Sequence, residues 1–113
     1  MSVTRARMEI DHAAQAAYID FGVDSRGVGA AVEVSPTINV DLDPSGVAVG
    51  VELLSLSPDL LSLAELRAKG RFRDEDARLI EANLPAILQF LAGSQAKPAH
   101  PGAPGVDFFY LAA

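Results

Sequence analysis

The chain contains no cysteine. Disulfides, thiolate zinc sites and cysteine nucleophiles are therefore excluded. Histidine is nearly absent too. His12 falls at a break and His100 among prolines, with no spacing that suits a metal pair or a general base. No serine stands in a G-x-S-x-G elbow, and there is no glycine-rich phosphate loop. No apolar run approaches the ~20 residues needed to span a bilayer. The opening MSVTRARMEID lacks the apolar core of a signal peptide, so a cytoplasmic location is expected. No internal repeat is visible. Positive charge is also in short supply: 9 Lys and Arg stand against 15 Asp and Glu, a net charge of −6. The deficit is uneven. Residues 1–56 hold Arg5, Arg7 and Arg26 against eight acids, and residues 57–113 hold six bases against seven. An acidic first half repels a phosphate backbone and argues against nucleic-acid binding through that surface.

What is present is a foldable core. Half of the 113 residues are hydrophobic, which suits one compact domain rather than a disordered chain. Residues 3–10 alternate: Thr4, Ala6, Met8 and Ile10 fall on one side, Val3, Arg5, Arg7 and Glu9 on the other. Period-two alternation marks a strand with one wet face. Residues 16–21 predict a second strand, with Ala17, Ile19 and Phe21 inward. Its alanines leave a helical turn at 12–17 as the alternative. A loop, GVDSRGVG, precedes a third strand near 28–34 that Ser35-Pro36 ends. Residues 37–42 turn Ile38, Val40 and Leu42 inward. Asp43-Pro44-Ser45-Gly46 then fits a type I turn: Asp accepts bonds from the backbone that follows, Pro presets φ, and Gly tolerates the left-handed region. Residues 47–54 complete a hairpin, with Val47, Val49, Val51 and Leu53 expected on one face.

The period changes at Ser57. Ser57-Pro58-Asp59 is a helix start, and a helix is expected over about 58–69, ending at Lys69-Gly70. A second helix begins at Asp74, with Glu75 and Asp76 in its first turn, and ends at Gly93. Leu79, Ile80, Leu84, Ile87, Leu88 and Leu91 form its apolar surface, and Pro85 should kink or restart it near Asn83. Residues 97–105, KPAHPGAPG, read as a linker. The last eight residues, VDFFYLAA, hold three of the seven aromatics: Phe108, Phe109 and Tyr110. The expected organisation is a β-sheet module at 1–56, a helical extension at 57–96, and a linker with an apolar tail at 97–113. The fold class is α+β, an antiparallel meander of about five strands with two C-terminal helices packed on one face.

Residues 5–54 resemble the small bacterial and archaeal family known as domain of unknown function 2283. The resemblance rests on residues in order: the opening strand to Asp11, Ala17-Tyr18-Ile19-Asp20-Phe21, Glu33-Val34-Ser35-Pro36, Ile38-Asn39-Val40-Asp41, Asp43 with Gly46, and Gly50-Val51-Glu52-Leu53-Leu54. Asp11-His12 departs from the Asp-Pro that such sequences usually carry after the first strand. The resemblance implies a short β-sheet module and carries over no catalytic residue. Some members lie beside small toxin-like proteins, which implies an antitoxin-like role by analogy only.

Three functional readings follow. The leading one is a non-enzymatic interaction or oligomerisation module with no cofactor and no metal. It would bind itself as a homodimer, or a protein partner, through Leu60, Leu63, Leu84, Leu88, Phe108, Phe109 and Tyr110, since a surplus apolar surface marks an interface. The second is a small acidic metal-binding protein or enzyme using Asp20, Asp41 and Asp43, because hard cations take oxygen ligands. Its plainer alternative is a solvated sheet face plus a turn-forming aspartate. The third is nucleic-acid contact through Arg67, Lys69, Arg71 and Arg73, against the plainer role of complementing a helix end and the acids beyond it.

Overall fold

The computed structural model describes residues 2–22, 27–58, 71–94 and 105–112. Within them the chain forms strands β1 (Ser2–Asp11), β2 (Ala16–Asp20), β3 (Ala30–Ser35), β4 (Ile38–Leu42) and β5 (Ala48–Leu53). Helix α1 (Asp74–Ser94) and strand β6 (Gly105–Ala112) follow. The strands join in one antiparallel sheet of order β3-β4-β5-β2-β1-β6. The fold is α+β, as expected, but it departs from the expected meander in two ways. The first is the strand order: β5 lies beside β2, and β3 is pushed to the edge. The burial of each strand explains this. Ala48, Val49, Val51 and Leu53 of β5 are all buried, which suits a strand paired on both sides. Ala30, Ala31 and Glu33 of β3 stay exposed, as an edge strand allows.

The second departure is the sixth strand. The apolar tail is not a free extension. Residues 105–112 pair with β1 over eight positions, from Gly105 opposite Glu9 to Ala112 opposite Ser2. Phe108 meets Ala6 in this register and is buried in the core. One helix is found among the described residues. The helix expected over 58–69 falls almost entirely on residues outside them.

The core lies on one face of the sheet. Met8, Ile19, Ile38, Val40, Val51 and Leu53 are fully buried there, and Leu79, Ile87 and Leu91 of α1 cover the β1–β6 end. Phe21 and Phe72 meet edge to face, their ring centroids 5.8 Å apart. Leu79, Ile87 and Leu91 recur near helical spacing, so α1 buries a stripe. Its first turn carries Asp74, Glu75 and Asp76 at the positive end of the helix dipole. Asp76 is fully buried and accepts two bonds from Arg73, 2.7 Å from Nε and 3.0 Å from Nη2. The helix is continuous through Pro85, so of the kink or restart expected near Asn83 the restart does not occur. Asn83 instead donates from Nδ2 to the carbonyls of Leu79 (2.9 Å) and Phe109 (2.8 Å), tying the helix to β6.

The β4–β5 hairpin carries one correction of phase. Asp41 pairs with Gly50 and Leu42 with Ala48, so Val49 is an extra residue in β5. A bulge of this kind reverses the alternation. Ala48 therefore joins Val51 and Leu53 in the core, where Val47 and Val49 were expected. The turn before it follows the expected chemistry. The Gly46 N–H donates to the Asp43 carbonyl at 2.9 Å, and Gly46 sits at φ 88°. The Asp43 carboxylate accepts from the backbone N–H of Ser45 (2.9 Å) and Val47 (3.0 Å) and from the Ser45 hydroxyl (2.7 Å). Asp43→Ala removes all three and leaves the Ser45 and Val47 donors without this acceptor. Its expected cost is about 1–3 kcal/mol in chemical denaturation, whereas Ser45→Ala, which removes one, should cost less than half of that.

Candidate functional site

Among the described residues, no helix lies over the face of the sheet opposite the core. Register places its residues in rows. One row runs Asp107, Arg7, Asp20, Gly50, Asp41, Ala31 from β6 to β3, and the next runs Gly105, Glu9, Tyr18, Glu52, Asn39, Glu33. At the centre, Tyr18 lies over Gly50 and donates its hydroxyl to Asp41 Oδ2 at 2.9 Å, crossing β5 to do so. Gly50 provides the room: a Cβ built on it would fall on the Tyr18 hydroxyl. Beside Tyr18 is an open concavity of about 410 Å³, lined by Glu9, Asp11, Ala14, Glu52 and Leu54 among others. Asp11 also shapes its rim by accepting from the Ala14 N–H at 3.1 Å, and Gln15 closes that turn at φ 51°.

The Tyr18 hydroxyl resists ionisation. Partial burial disfavours the phenolate first, the hydrogen bond to Asp41 holds the proton next, and the charges of Asp41, Asp20 and Glu52 add to both. Its pKa is raised well above the ordinary value, so the folded state holds this proton more tightly than the unfolded state does. The resulting stability is full below the ordinary tyrosine pKa of about 10. It is lost as pH rises from there through the higher folded value. In a Tyr110→Phe variant, where Tyr18 is the remaining tyrosine, phenolate absorbance is expected to appear only above the normal range, together with unfolding. An ordinary titration curve on a folded protein would contradict the geometry.

The charge on this face is divided. Arg7 is neutralised by Glu9 and Asp107, each 3.3 Å away. Arg5, opposite Phe109, makes no ion pair among the described residues. Asp11, Asp20, Glu33, Asp41 and Glu52 likewise have no cation within ion-pair distance among them. At the β1–β6 corner, Val3 is paired with Leu111, and Phe109 lies two residues away on the same face. These three are 64%, 58% and 55% exposed.

The residues expected to bind a partner are scattered by this arrangement. Phe108 is core, and Tyr110 and Leu84 pack against the core. Leu88 is exposed on α1, and Phe109 is exposed on the wet face of the sheet. Leu60 and Leu63 lie outside the described residues. The three aspartates of the metal reading do not converge. Asp43 turns into its own hairpin, Asp41 is held by Tyr18, and Asp20 accepts from the Gly22 N–H at 2.7 Å. No cluster of metal-ligating side chains occurs among the described residues. Of the basic stretch, Arg67 and Lys69 lie outside the described residues. Arg73 is engaged by Asp76 and, at 3.5 Å, by Glu75. No helix among the described residues is long and apolar enough to cross a membrane.

Reading by residue missed the corner formed by Val3, Phe109 and Leu111. Part of the signal was present, since Val3 stands on the side of β1 that otherwise holds Arg5, Arg7 and Glu9. The pairing that brings Leu111 beside it joins the two ends of the chain and has no local mark.

No curated protein matches the chain significantly, and no solved structure does. A family model described as protein of unknown function (DUF2283) matches residues 7–57, which cover β1 from Arg7 through β5. That segment is a little under half of the chain, and α1 and β6 lie beyond the match.

Proposed function

We propose that the protein is a non-enzymatic interaction module that works through the uncovered face of its sheet. The observation that carries this reading is the exposed group Val3, Phe109 and Leu111 on a face that no element of the described chain covers. Scattered single apolar residues are ordinary on a surface, but three at neighbouring positions of one face across a strand pair suit a contact surface. The contact surface is thus moved from the helices to the sheet. Phe109 is retained from the expected set, and Phe108 is assigned to the core. The acids on the same face that have no cation within ion-pair distance among the described residues suit a basic partner, which is the form an antitoxin-like role would take. The test is light scattering on the purified chain together with affinity capture from its native host, both repeated with Phe109→Asp. A monomer that captures nothing, or capture that Phe109→Asp leaves intact, would refute the reading.

The metal reading has no observation in its favour. Calorimetric titration with calcium, magnesium or manganese should be silent, and binding abolished by Asp41→Asn would reverse that judgement. Nucleic-acid contact through residues 67–73 predicts salt-dependent retention on DNA. Retention is not expected, because Arg73 is engaged by acids and the wet face is acidic.

A further inference from the structure

We infer that the sheet face opposite the core docks a cationic segment of another protein, which sets a lysine or arginine in the concavity beside Tyr18 and an apolar side chain on the Val3–Phe109–Leu111 corner. This rests on the interaction reading above and names the chemistry of the partner. The charges of the face select it. Glu9 and Asp107 are matched by Arg7. Asp11, Asp20, Glu33, Asp41 and Glu52 have no cation within ion-pair distance among the described residues. Four of these accept hydrogen bonds from uncharged donors: Asp11 from the Ala14 N–H, Asp20 from the Gly22 N–H, Asp41 from the Tyr18 hydroxyl and Glu52 from the Asn39 amide. Their negative charge is left for a partner. A second copy would lay these acids on their own kind, and a phosphate backbone would be repelled in the same way.

Shape adds a place for the cation. The concavity of about 410 Å³ carries Glu9, Asp11 and Glu52 together with Ala14, Ala16 and Leu54. A lysine or arginine is divided in the same way, its aliphatic stem packing on apolar atoms while its charged head reaches the acids. The Tyr18 ring borders this space, where an aromatic face adds attraction for a cation. The apolar corner lies at the other end of the face, about 20 Å away over the six residues of β1 from Glu9 to Val3. A helix of about 14 residues covers that length, so one segment reaches both places. Arg5 stands opposite Phe109, at the apolar end, and leaves the concavity to its acids.

Fluorescence anisotropy of the full chain with a labelled amphipathic peptide, about 14 residues of lysine and leucine, tests this. Binding is expected, weakening as salt is raised, with none for the same peptide carrying glutamate in place of lysine. Asp11→Asn combined with Glu52→Gln removes two charges of the concavity and keeps their acceptor oxygens. It is expected to weaken binding about fivefold, and Phe109→Ser about as much. Glu75→Gln combined with Glu81→Gln removes the same charge from exposed positions of α1, and should leave binding within about twofold. All of these positions are exposed, so circular dichroism and thermal midpoint should stay close to those of the parent. Absence of binding overturns the inference. So does binding that survives the face substitutions, or that falls equally with the α1 pair, which is attraction to net charge alone. If the lysine peptide is ignored, yet the chain captures a native-host protein or a second copy in a way that Phe109→Ser abolishes, the cationic segment is wrong and the interaction module stands. If it does neither, both fall.

Discussion

Phe108→Ala is expected to lower stability by about 3–5 kcal/mol, while Phe109→Ala, one residue on, is expected to cost less than about 1 kcal/mol. The two side chains leave β6 in opposite directions. Phe108 is 7% exposed and packs in the core beneath Ala6, and Phe109 is 55% exposed on the wet face. Removing the first leaves a cavity under the β1–β6 pair and the stripe of α1. Removing the second takes away surface that water already reaches. Against a domain stability of about 5–15 kcal/mol, the first loss takes more than half of the lower bound. Urea unfolding at matched m-values measures both. Equal costs would mean that the tail is not docked in this register. A larger cost at Phe109 would mean that its face is inverted.

This contrast also shows where sequence reading reached its limit. The alternation of Ile38, Val40 and Leu42, the Asp43–Gly46 turn and the start of α1 at Asp74 are local, and each is written within a few residues. The Phe108–Tyr110 segment reads as an apolar, aromatic tail, with nothing local to say what it packs against. Its partner is β1, some hundred residues earlier in the chain, and no short-range pattern names it. The displacement of β3 by β5 has the same origin. Strand order is decided by which strand can be buried along both edges, a comparison among strands rather than a property of one. The bulge at Val49 is a third case. A run of Val47, Val49 and Val51 promises simple alternation, and a one-residue insertion against β4 is visible only once Asp41 and Gly50 are seen to pair. The candidate site inherits these gaps. In the sequence, Tyr18, Gly50 and Asp41 stand out as motif residues and a candidate cation ligand. What they form together depends on the β2–β5–β4 order.

That assembly carries the second prediction. Gly50→Ala is expected to destabilise the fold by about 1–3 kcal/mol, the usual range for forcing a methyl into filled space. Gly50 has no positive φ, so its backbone would accept alanine, and in a strand alanine is ordinarily the better residue by about 0.5–1 kcal/mol. The obstacle is Tyr18 alone: the new Cβ would fall on its hydroxyl, and the ring would have to swing off β5 and release Asp41. The sign of the effect should therefore depend on Tyr18. In a Tyr18→Ala background, Gly50→Ala should become neutral or stabilising. The two changes together should then be milder than their separate costs added, by more than about 1 kcal/mol. Additive costs would show that the ring does not lie across Gly50. The cycle bears on function as well as on stability. Tyr18 is the aromatic surface at the middle of the uncovered face, and its bond to Asp41 fixes where that carboxylate points. If the face docks a partner, Gly50→Ala should weaken association beyond what its loss of stability explains, because it displaces the ring and frees the acid in the same step. A variant that is destabilised as expected but associates normally would place the contact away from the sheet centre, toward the Val3–Leu111 corner alone.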